Sequence, residues 1–114
     1  MFLANIETDG TVKLNLKFEA AAGTQLQIAF SKKPFSWDYS DSDIIPMEYN
    51  EVSSTTRVKA PKGEKTTISS GVEYSFTIKD LAKDDQLYLC WWGNPSTNKC
   101  YLESLTEFTF ESAN

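Results

Sequence analysis

The chain has 114 residues, with 11 Lys+Arg, 16 Asp+Glu, no His and a formal net charge of -5. That length fits one domain able to bury a core without metal or disulfide staples. The acidic balance argues against nucleic acid as a partner, because phosphate contacts need Lys and Arg. No apolar run approaches the roughly 18 residues of a membrane span, and the absence of His removes the commonest general base and metal ligand.

The first seven residues, MFLANIE, lack a basic segment and a long apolar stretch, so no signal peptide is expected there. An extracellular or virion-surface location would follow if the chain belonged to a larger or trimmed protein. The two cysteines, Cys90 and Cys100, fit either redox compartment.

The dominant period is two. Val12, Leu14, Leu16 and Phe18 alternate with Lys13, Asn15, Lys17 and Glu19, the pattern of a half-buried strand. AAAGT at 20–24 punctuates it, with Gly23 as the turn residue. Leu26, Ile28 and Phe30 then mark a second strand, joined to the first as a long hairpin or a sandwich crossover.

Residues 31–50 have no clean period. From Pro34 to Thr56 there are five acids (Asp38, Asp41, Asp43, Glu48, Glu51) and no base, interleaved with Phe35, Trp37, Tyr39, Met47 and Tyr49. A long loop rich in aromatics reads as a functional segment or a packed lid. Strands are expected again at 55–60, 66–69 and 72–78, then at 87–91, 99–104 and 107–111. A parity change between Leu105 and Phe108 points to a bulge or corner. Eight or nine strands without a sustained 3.6-residue period predict one all-β domain, an antiparallel β-sandwich of the jelly-roll type.

If 87–91 and 99–104 pair as a hairpin, one register gives a coherent apolar face: Trp91 opposite Cys100, Leu89 opposite Leu102 and Leu87 opposite Ser104. Setting Cys90 opposite Cys100 would instead bring Lys99 and Glu103 onto the Leu87, Leu89 and Trp91 face. A one-residue slip exchanges faces, so burial selects the first register. The cysteines then point to opposite faces and remain free thiols.

The same register puts Tyr88, Trp92 and Tyr101 together on the face away from the core, near Asn94, with Trp37 and Tyr39 on a neighbouring loop. Exposed rings can stack on sugar C–H faces while amides take hydroxyls, which makes these six residues a candidate glycan-binding surface. Two packing roles compete with it. Tyr88 occupies the position of a structural tyrosine corner, and Trp92 is a candidate for cover by the 31–50 loop.

The acidic loop offers oxygen ligands for Ca²⁺, but Asp41-Ser42-Asp43 matches only the opening of a calcium loop. Structural calcium is therefore unsupported by a motif, and no cofactor is expected. No G-x-S-x-G, P-loop or Cys–His arrangement occurs, so the chain is not expected to be an enzyme. Arg57 and Lys59 share a strand face and read as a solvated edge that resists edge pairing.

The stretches VKLNLKFEAAAGTQLQIAFSKK, GVEYSFTIK and QLYLCWWG followed by KCYLESLTEFTFES give a strand rhythm that resembles the jelly-roll carbohydrate-binding modules of glycoside hydrolases. The 72–91 stretch also looks like the last strands of a fibronectin type III domain, without that domain's early Pro and Trp. The first resemblance implies a non-catalytic module that recognises a glycan on a concave sheet face or loop edge, with any calcium structural. Similar domains occur on phage virion proteins and bacterial adhesins. That implies the alternative: a structural or interaction domain whose aromatics are buried against another protein chain.

Overall fold

The computed structural model describes residues 1–113. Nine strands are present among them: β1 Phe2–Asn5, β2 Gly10–Ala20, β3 Gln25–Ser31, β4 Met47–Glu51, β5 Val58–Ala60, β6 Thr66–Ile68, β7 Glu73–Leu81, β8 Gln86–Asn94 and β9 Cys100–Ser112. A short 3-10 turn at Asp41–Asp43 is the only helical element among the described residues.

The strands form two antiparallel sheets. Sheet A has the order β1-β8-β3-β6 and sheet B the order β5-β4-β7-β2-β9. The pairs β1 with β8, β2 with β7, β3 with β6 and β4 with β5 are nested, like one long hairpin folded over itself. β2 and β3 lie in different sheets, so the connection at 21–24 is a sandwich crossover.

Period-two alternation explains the core. Val12, Leu14, Leu16 and Phe18 of β2 point inward and meet Leu26, Ile28 and Phe30 of β3, with Phe76, Ile78, Leu87 and Leu89. Burying each such side chain contributes about 1.5–3 kcal/mol before conformational entropy is counted. Trp91 packs against this core with its ring centroid 5.3 Å from that of Phe18, on the face expected from its parity.

The final hairpin expected from the sequence does not form. β8 lies in sheet A between β1 and β3, whereas β9 crosses over to sheet B and pairs with β2. Both sides of β8 are already occupied. Crossing also lets Leu102 pair beside Phe18 and Leu105 beside Leu16, on the inward face of β2. Both cysteines are free, as expected, but through separation between sheets: Cys90 pairs with Ala29 and Cys100 with Ala20.

β9 reaches this match only by bulging. Its register with β2 shifts between Lys13 and Asn15 and again between Lys17 and Phe18. Glu107, with φ 54, sits at the first shift, where the parity of the sequence changes. The outer face of sheet B is charged, with Lys13–Glu111 at 3.0 Å, Lys17–Glu103 at 3.5 Å and Lys79–Glu48 at 2.7 Å.

Candidate functional site

The loop from Lys32 to Pro46 folds back over the outer face of sheet A. Ala29 and Ser31 sit on that face by strand parity, yet both are fully buried. Tyr39 packs on Phe35 with ring centroids 4.6 Å apart. Burial of its hydroxyl, with Asp41 and the Cys90 sulfur nearby, pushes the Tyr39 phenol up to about 12. Burial likewise raises the Cys90 thiol. The loop's acids bind lysines: Lys33 lies 3.5 Å from both Asp38 and Asp43, and Lys65 lies 3.9 Å from Asp41. Among the described residues no three His, Cys, Asp or Glu side chains converge as a metal site.

The six residues expected to bind a glycan do not form one surface. Tyr88 and Trp92 lie on the outer face of sheet A, and Tyr101 lies on sheet B beside Glu19. Tyr88, Trp92 and Tyr39 are mostly buried. The Tyr88 ring meets Phe2 edge-on at 5.4 Å, and its hydroxyl donates to Gln86 at 2.9 Å. Trp92 donates its indole N–H to Gln27 at 3.0 Å and has the Lys65 ammonium 5.7 Å from its ring. Tyr101 is 58% exposed and Trp37, at the tip of the loop, 96%. Asn94 is exposed at the end of β8. A platform of exposed aromatics is thereby overturned. The physical reason is the crossover of β9, which removes Tyr101 to the other sheet, together with the folded-back loop.

The tyrosine that closes a turn is also a different one. Tyr74, buried in β7, accepts the Ser69 amide at 2.8 Å, the structural role that the sequence suggested for Tyr88.

Two other surfaces stand out. An open groove of about 500 Å³ runs beside β4 and β5, lined by Met47, Glu48, Lys59, Thr77, Lys79 and Asp80. It continues through Pro46, Lys79 and Asp80 into a second hollow of about 430 Å³. The Lys79 ammonium holds the Glu48 carboxyl below its ordinary value, so the groove's main acid is already satisfied.

The second surface is the β9 side of the sandwich. Phe110 pairs opposite Val12 and is inward by parity. β9 is an edge strand, however, and Phe110 and Phe108 remain 39% and 40% exposed. They line a cleft of about 210 Å³ against Ala4, Ile6 and Thr8. From Thr106 to Ser112 every residue of β9 is exposed. The sequence carried a signal for this surface, since Phe108 and Phe110 alternate with Glu107, Thr109 and Glu111.

No protein-family model matches this chain, and comparisons with curated proteins and with solved structures returned no match. No helix among the described residues is long and apolar enough to cross a membrane.

Proposed function

We propose that this chain is a non-catalytic structural or interaction domain that joins another protein chain along the open edge of sheet B at β9. The observation that carries the reading is a 13-residue edge strand with Phe108 and Phe110 left 40% and 39% exposed beside it. A long edge strand presents a row of unpaired backbone donors and acceptors, which is a template for an added strand. Its apolar side chains offer pockets for alternate residues of that strand. A domain of this kind on an adhesin or virion surface would be one link in a multichain array. The nested pairing, with 1-8-3-6 in one sheet and 2-7-4-5 in the other, supports a jelly-roll wrapping to which β9 is added as an extra edge.

The test is a titration of isotope-labelled protein with a short peptide of alternating valine and lysine, followed by backbone amide shifts. Shifts should concentrate in β9 and disappear in Phe108→Lys, because an edge lysine opposes strand addition. Shifts confined to sheet A, or none at all, would remove the reading.

A further inference from the structure

Sheet B has two free edges of opposite charge. β9 carries Glu103, Glu107 and Glu111 and no base. At the far side of the sheet, β5 with its flanks reads Arg57-Val58-Lys59-Ala60-Pro61-Lys62-Gly63, with no acid. Val58 stands 44% exposed in that strand. Glu103 and Glu111 are partly neutralised by Lys17 and Lys13, and Arg57 reaches back to Asn50 and Thr77. Among the described residues, Glu107, Lys59 and Lys62 have no ion-pair partner within the chain.

We infer that the strand added to β9 is β5 of a second copy of this chain, so that copies join head to tail through sheet B. The inference rests on the proposed role of β9 as an acceptor edge and names its occupant. Charge selects this pairing. β9 against β9 brings acids together with no base, and β5 against β5 brings Arg and Lys together; both are destabilising. β9 against β5 sets the unpaired Glu107 carboxylate beside the unpaired Lys59 and Lys62 ammonium groups, and Phe108 and Phe110 beside Val58. The basic edge at β5 thus resists its own kind while suiting an acidic strand.

Strand direction fits as well. Four successive antiparallel pairings separate β5 from β9, so the two edges run the same way. A copy translated along the sheet therefore pairs them in parallel and keeps every inner face on one side. Such a contact is heterologous and does not close on itself; with the ordinary twist of sheets it propagates as an open helical array. β5 has only three residues, so each contact is small. Association is accordingly weak, concentration-dependent and reduced by salt.

Sedimentation velocity at low ionic strength tests this with two variants, Glu107→Lys and Lys59→Glu. Both changes are at exposed positions, and circular dichroism with a cooperative melt confirms that each variant is folded. The parent chain should show a concentration-dependent ladder of species that shrinks on adding salt. Glu107→Lys replaces the unpaired acid of β9 with a base and Lys59→Glu replaces an unpaired base of β5 with an acid, so each alone should stay monomeric. Mixed in equal amounts they should associate again, as should a chain carrying both changes. Association of Lys59→Glu by itself would mean same-edge pairing through β9 and would overturn the inference. A parent chain that is monomeric at every concentration would also overturn it. In that case continued binding of the valine–lysine peptide at β9 would preserve the acceptor-edge reading, and loss of both would end both.

Discussion

Trp91 and Trp92 are neighbours with opposite surroundings. Trp91 packs inward on Phe18, whereas Trp92 lies on the outer face, held by a hydrogen bond to Gln27 and by the Lys65 ammonium. Their separation was readable because alternation along a strand is a local property that survives whatever strand pairs beside it. Placing Tyr101 beside Tyr88 and Trp92 failed because membership of a sheet depends on a distant partner, here β2. Truncation should separate the two tryptophans. Trp91→Ala should cost about 3 kcal/mol in denaturant unfolding, since it leaves a void against Phe18. Trp92→Ala should cost about 1 kcal/mol, the net worth of one hydrogen bond and some packing. Equal losses would place both rings in the core.

At the scale of elements, β9 shows what a one-dimensional pattern reveals and hides. The bulge at Glu107 was legible as a parity change between Leu105 and Phe108. The second shift, which lets Leu102 and Leu105 both face inward, was hidden by the assumption of a hairpin with β8. β4 was hidden as well: Met47 and Tyr49 alternate with Glu48 and Asn50, but Pro46 and the surrounding acids made the segment look like loop. Gly10 anchors the far end of β9. A Cβ at that position would collide with the Glu111 carbonyl and the Phe110 ring, so the ring occupies space that only glycine leaves open. Gly10→Ala should therefore destabilise by about 1–3 kcal/mol as an overpacking change. Faster amide exchange should appear first at 109–112, where β9 is pushed from β2. An unchanged melt with unchanged exchange would show that Phe110 moves aside without cost.

For the molecule as a whole, two antiparallel layers follow from alternation alone, while the cover over sheet A required knowing where the acidic loop lands. Groups in and beside that loop also set how the protein responds to pH. Ser36 and Lys33 hold Asp38 below its ordinary 3.8, the Ser40 amide and Lys33 do the same for Asp43, and Lys79 holds Glu48 below 4.5. At Asp85 burial works the other way, but the Ala82 amide and Lys32 win and the carboxyl is again lowered. Carboxyls that are more acidic folded than unfolded stabilise the fold above their unfolded values and cease to do so as pH falls through the folded ones. The alkaline side has the opposite sign. Tyr39, raised from 10.0 to about 12, and the Cys90 thiol, raised above its ordinary 9.0, favour the fold while protonated and disfavour it as pH climbs past those ordinary values. Calorimetric scans should therefore give a melting temperature that is flat from about pH 5 to 8, falls below about pH 4 and falls again above about pH 9. Glu48→Gln should lower the plateau and make the acid decline shallower, because the group no longer titrates. Tyr39→Phe should remove part of the alkaline decline with the plateau kept, since the hydroxyl is buried without a hydrogen-bond partner. A Tyr39→Phe profile identical to the parent above pH 9 would mean that the loop lifts off sheet A before the phenol ionises.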